Sequence, residues 1–173
     1  DPSALSTLST SAISSFGFLA DSGGTINIDS SRAPDGEVDA TSHNLNINAQ
    51  AITVRNADLN AQEIGIRMGD ASFGNIYLEN SLLETVGGGT FFQGGTVYAV
   101  DTIVTASGRD SGVKVRSNSL ALEGINGSSA IRSGKLGASG GDIDIVANDI
   151  SLEHNVELST SSGGSLNGGD IRL

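Results

Sequence analysis

Apolar side chains in this chain come in short bursts that alternate with polar ones, most of them opened by a glycine. Ile26 and Ile28 follow Gly24, Ile76 and Leu78 follow Gly74, and Val97 follows Gly95. Val113 and Val115 follow Gly112, Ile143 and Ile145 follow Gly141, and Ile171 follows Gly169. A period of two over a few residues marks a short strand with one face buried, so these aliphatic positions are predicted to face a core. A second apolar position follows six or seven residues later: Leu45 to Ile52, Ile76 to Leu82, Val97 to Ile103, Val113 to Leu120 and Ile143 to Ile150. The chain turns once between them. A third strand is visible at 130–132 and 156–160, before a Gly/Ser-rich corner leads to the next glycine. Three strands and three corners make one rung.

The starts at Gly74, Gly95, Gly112, Gly141 and Gly169 are separated by 21, 17, 29 and 28 residues, around the period of strand solenoids. Strands this short cannot bury an apolar face alone. Stacking each on its equivalent in the next rung, parallel and in register, gives them a common interior. The predicted fold class is all-β, a parallel β-helix of three-strand rungs. Residues 1–22 read as irregular or as an incomplete first rung. Residues 23–173 read as β-helix repeats with a surface insertion at about 30–43, where Pro34, Asp35, Gly36 and His43 interrupt the pattern. Adjacent Phe91 and Phe92 cannot both face the core, because neighbouring side chains on a strand point to opposite sides. Two residues before the second apolar position stand Gln50, Asn80, Asp101, Asn118 and Asn148. That constant offset predicts a stacked polar ladder, in which each carboxamide donates to and accepts from its copies above and below.

Composition narrows the function classes. There are 20 acidic residues against 9 basic, a formal charge of -11. With Lys and Arg few and scattered, no basic patch can collect phosphates, which argues against nucleic-acid binding. Glycine supplies 24 of 173 residues and cysteine none, so the chain is turn-rich and has neither disulfides nor thiolate metal ligands. No apolar stretch approaches the roughly 18 residues of a membrane helix, so no membrane span is expected. The chain does not open with a charged segment and an apolar run, and it is read as a fragment of a longer precursor.

Catalytic chemistry is sought without success. Gly137-Ala138-Ser139-Gly140-Gly141 has the spacing of a nucleophile elbow, but a strand of the repeat follows where that motif needs a helix. His43 and His154 are far apart and lie on no helix with metal spacing, so no metal site and no cofactor are expected. Asp142 and Asp170 occupy equivalent rung positions and would stack one strand spacing apart, an arrangement that could raise one pKa or hold calcium. With no basic or aromatic residue expected beside them, they are read as structural. Asn126-Gly127-Ser128 fits a glycosylation acceptor, a motif short enough to arise by chance.

Three stretches carry a family likeness. They are Ala12–Leu19 leading into Gly24–Asp29, then Ala51–Leu59, then Gly140–Ile145 with Asp149–Leu152, closing on Gly168–Leu173. In this order they resemble the secreted exoproteins of the filamentous haemagglutinin type, exported by bacterial two-partner secretion. In that family a secretion domain precedes a right-handed parallel β-helix shaft, so the resemblance implies that hand and a position just after the secretion domain. It implies a secreted protein at the bacterial cell surface that acts in adhesion or cell–cell contact. Its partners would be carbohydrate or cell-surface receptors, with an outer-membrane secretion partner engaged through a missing amino-terminal domain. It carries over no catalytic residues. Two alternatives stand beside the adhesive shaft: a fibre subunit that associates end to end, and a polysaccharide lyase or hydrolase on the same scaffold.

Overall fold

Alternation of small aliphatic and polar residues, broken every few positions by Gly, Asn or Ser, yields strands too short to be stable singly. In the computed structural model they are stabilised by stacking. Residues 15–19, 25–29, 37–48, 51–67, 74–108, 111–134, 140–162 and 168–173 are described. The strands are β1 (Ser15–Leu19), β2 (Thr25–Asp29), β3 (Glu37–Asn48), β4 (Ala51–Arg55), β5 (Asp58–Arg67), β6 (Asn75–Glu79), β7 (Leu82–Thr85) and β8 (Thr90–Val100). They continue with β9 (Ile103–Ala106), β10 (Val113–Glu123), β11 (Ser129–Ser133), β12 (Ile143–Val146), β13 (Asp149–Glu153), β14 (Val156–Thr160) and β15 (Ile171–Arg172). Every pairing between them is parallel, and the architecture is a β-helix. No helix occurs among the described residues, so none there is long and apolar enough to cross a membrane.

Three faces wind in turn. Face A stacks β2, β4, β6, the second half of β8, the second half of β10, and β13. Face B stacks the first halves of β3 and β5, then β7, β9, β11 and β14. Face C stacks β1, the second halves of β3 and β5, the first halves of β8 and β10, β12 and β15. On face A, Ile52, Ile76, Val97, Leu120 and Ile150 lie in one column, so successive windings take 24, 21, 23 and 30 residues. Face B aligns Leu59, Leu83, Val104, Ile131 and Leu158. Face C aligns Leu45, Ile64, Thr90, Val113 and Ile143. Aliphatic side chains from all three faces fill the interior. Stacked strands stand about 4.8 Å apart, so each apolar side chain is sealed above and below by its column neighbours as well as across the bore.

Of the core positions named from the alternation, Ile76, Leu78, Val97, Val113, Val115, Ile143 and Ile145 are buried. Ile26 and Ile28 lie on β2 in register with Ile52 and Val54, and their side chains fall outside the described residues. Ile171 stands in register on Ile143, in the same inward column, and is 42 % exposed in β15, the last strand of the given sequence. Phe92 is buried and Phe91 is half-buried on the outer side, as strand alternation requires.

Within the stretch at 30–43, Glu37–Ala40 pair in register with Asp58–Ala61, and the register then shifts before Asn44, so that residues 41–43 stand against one residue of β5. The interrupting Pro34, Asp35 and Gly36 lie outside the described residues. Within 1–22, Ser15–Leu19 is a strand of face C. The glycine starts also do not share one corner. Gly74 and Gly95 open face A, whereas Gly112, Gly141 and Gly169 open face C, so the 17-residue step from Gly95 to Gly112 is less than a full winding.

Candidate functional site

The outer side of face A carries the densest chemistry. Thr53, Tyr77, Tyr98, Ala121 and Ser151 occupy one outward column, and Arg55, Glu79, Val100, Glu123 and Glu153 the next. The chain's two tyrosines therefore stack, with ring centroids 5.4 Å apart and planes tilted by 41°. The Arg55 guanidinium lies 5.1 Å from the centre of the Tyr77 ring and pairs with Glu79 at 2.8 Å. An offset aromatic pair contributes about 0.5–1.5 kcal/mol beyond its buried area, and an exposed cation–π contact about 0.5–1 kcal/mol. The strip is thus held rigid at a modest gain in stability. Tyr98 Oη donates to Glu123 Oε2 at 2.7 Å. Arginine, two rings and a carboxylate run along the helix axis across four successive windings.

The same hydrogen bond sets the acidity of Tyr98. Donation to Glu123, aided by partial burial and the negative charge, pushes its phenol up to about 12. Tyr77 is also raised, by burial first and then by Glu79. A phenol whose pKa is raised on folding contributes stability that is fully present below its unfolded value of about 10 and is lost as pH climbs through the folded value. In a Tyr77→Phe background Tyr98 is the one phenol left. Its phenolate absorbance is expected to rise near pH 12, and Glu123→Gln should move that rise back toward 10. A rise near pH 10 with Glu123 intact would remove the hydrogen bond from the account.

The predicted polar ladder is corrected. Asn80 and Asp101 follow face A, at the corner before β7 and β9, whereas Asn118 and Asn148 precede face A. The Asn148 backbone N–H donates to the Asn118 carbonyl at 3.0 Å, and by register these two continue the column of Gly74 and Gly95. Gln50 lies outside the described residues. The four described positions thus divide between two corners. At the corner after face A, one side-chain link joins Asn80 to Asn56, with Asn80 Nδ2 donating to Asn56 Oδ1 at 2.8 Å. Asn56, Asn80 and Asp101 all take left-handed backbone, φ 50°, 45° and 46°, the region Asn and Asp enter most easily among residues with a side chain. Asp101 accepts from the backbone N–H of Gly127 at 2.9 Å and of Asn126 at 3.1 Å. Partial burial pushes its carboxyl up, but these N–H groups outweigh that and hold it below the ordinary range.

Just inside this corner lies a column of buried hydroxyls that the alternation does not reveal. Ser81 Oγ donates to the Glu79 carbonyl at 2.8 Å and accepts from Ala57 N–H at 3.2 Å. Thr102 Oγ1 donates to the Val100 carbonyl at 2.9 Å. Ser129 Oγ donates to the Glu123 carbonyl at 2.7 Å and accepts from Thr102 N–H at 3.2 Å. Each satisfies backbone groups where the strand ladder breaks, which a buried corner requires. The signal available in the sequence was a hydroxyl directly after the left-handed residue, at Asn80-Ser81 and Asp101-Thr102.

Asp142 and Asp170 do stack, with the Asp170 N–H donating to Asp142 Oδ1 at 2.9 Å. The expectation that no basic group accompanies them fails: Arg172 reaches Asp142 Oδ2 and Asp170 Oδ2, each at 2.8 Å. The Asp170 N–H, followed by Arg172, holds the Asp142 carboxyl below its ordinary range. Such a group keeps no proton near neutrality to serve as a general acid. Of the other residues singled out, Ser139 and the His43 side chain lie outside the described residues, and Asn126 is exposed. Tyr77, Tyr98 and Arg55 were not named from the sequence. Both tyrosines sit between two core positions, at Ile76-Tyr77-Leu78 and Val97-Tyr98-Ala99, and that placement was the available signal. Comparison of the chain with protein-family models, curated proteins and solved structures found no match.

Proposed function

We propose that this chain is a shaft segment of a large secreted or cell-surface exoprotein of the filamentous haemagglutinin type, serving attachment or cell–cell contact. The observation that carries this reading is the unbroken register of apolar columns along the axis, an interior that lengthens by adding windings and carries binding groups only on its outside. The outer strip of Arg55, Tyr77, Tyr98 and Glu123 suits weak contacts to carbohydrate or to a receptor protein, multiplied by repetition along a shaft. Reading the full-length gene product tests it. A secretion domain upstream and further repeats downstream are expected, whereas a complete protein of this size would overturn the proposal. Beads coated with the purified chain should attach to cells if the segment is adhesive, and stay free if it only spaces. Turnover of a polysaccharide, lost in Asp142→Ala, would replace the shaft with an enzyme.

A further inference from the structure

We propose that Glu123, Glu153 and His154 form a binding site for a divalent transition-metal cation of the zinc class, tying two successive windings together. One ligand atom from each lies within 4.8 Å of the other two. The parallel register places Glu153 directly on Glu123, and the corner then turns His154 back over the pair. His154, next in the chain after Glu153, takes left-handed backbone at φ 53°. His154 Nδ1 is 3.6 Å from Glu123 Oε1. That is too long for a hydrogen bond and close to about 3.4 Å, the edge of a tetrahedron with metal bonds of roughly 2.0–2.1 Å.

The surroundings of the group support the same reading. Glu79, Asp144, Glu157 and the pair Asp142 and Asp170 each meet an arginine. Glu123 and Glu153, two like charges one strand apart, have no Lys or Arg partner among the described residues. Hydroxyls from outside the trio hold both carboxylates instead: Tyr98 Oη donates to Glu123 Oε2, and Ser151 Oγ donates to Glu153 Oε1, each at 2.7 Å. Outer hydrogen bonds of this kind orient carboxylate ligands in metal sites. An imidazole with two carboxylates suits zinc and its first-row neighbours, while magnesium and calcium prefer oxygen alone. Three protein ligands leave a position open to water or to a group on a partner.

Titration of the whole chain with zinc chloride in excess magnesium tests the site. One saturable zinc per chain is expected, together with a visible cobalt(II) spectrum characteristic of nitrogen and oxygen ligation. His154→Asn, which keeps a residue tolerant of the left-handed corner, should weaken zinc binding by tenfold or more and abolish the cobalt spectrum. Glu123→Gln should do likewise, and Tyr98→Phe should weaken binding about tenfold by releasing the carboxylate. Zinc should raise the thermal midpoint of the native chain and not that of His154→Asn. Circular dichroism establishes that each variant is folded, and Asp142→Asn provides a control for loss of charge alone. No saturable binding in excess magnesium, zinc affinity unchanged in His154→Asn, or an equal loss in Asp142→Asn would each overturn the proposal.

Discussion

Replacing Phe92 with alanine is expected to lower the unfolding free energy by roughly 3–5 kcal/mol, measured by urea denaturation. Phe92 is 2 % exposed and belongs to the face C column that continues to Val115 and Ile145. It already borders an apolar void of about 10 Å³, shared with Leu78, Val97 and Val104. Those neighbours belong to columns held in register by hydrogen bonds to the windings above and below, so they cannot collapse into the added space. The cavity therefore remains, and its cost adds to the lost transfer free energy. Phe91→Ala removes the same ring from the outer side of β8 and should cost about 1 kcal/mol or less. The difference between the two neighbours reads the register directly. A slip of one residue would exchange their faces, and an inverted ranking would show that β8 is placed wrongly.

Gly134→Ala is expected to cost roughly 2–6 kcal/mol by the same measurement. Gly134 leaves face B with φ at +97°, a conformation that strains any residue with a Cβ. A methyl group there would lie 1.9 Å from the Ser161 carbonyl oxygen, which belongs to the next winding. Neither side can yield easily. The Gly134 N–H donates to Ala106 on one side, and the Ser161 N–H donates to Ser133 on the other, both at 2.8 Å. Gly127→Ala provides the contrast. Its added carbon would come no closer than 3.7 Å to the Asp101 side chain, and the change should cost about 1 kcal/mol or less. Equal losses in the two variants would mean that the corner at Gly134 relaxes more than its hydrogen bonds suggest.

Alternation at Ile76 and Leu78, Val113 and Val115, and Ile143 and Ile145 was enough to deduce parallel stacked strands around a shared interior. A period of two repeated at solenoid spacing leaves short strands no other way to bury one face. The same pattern misled where it had to specify a corner. Val97 to Ile103 spans six residues around the corner after face A, and Val113 to Leu120 spans seven around the corner before it. Along one dimension the two are nearly indistinguishable, which is how Asn80 and Asp101 came to be grouped with Asn118 and Asn148. The pattern recurs three times in each winding, and nothing local marks which of the three a given turn represents.

The amino-acid order by itself determined the class of fold, the burial of aliphatic positions such as Ile76, Val113 and Ile143, the fact that only one of Phe91 and Phe92 could face the core, and the acidic, cysteine-free composition, since each follows from local periodicity or from counting. Tertiary structure alone decided which residues become neighbours across windings. Asn56 meets Asn80, Tyr77 meets Tyr98, and Glu123 meets Glu153 and, beside it, His154, because steps of 24, 21 and 30 residues happen to complete one winding in each case. Corner lengths vary from winding to winding, so that distance is written in the hydrogen-bonded register and in no fixed spacing along the chain.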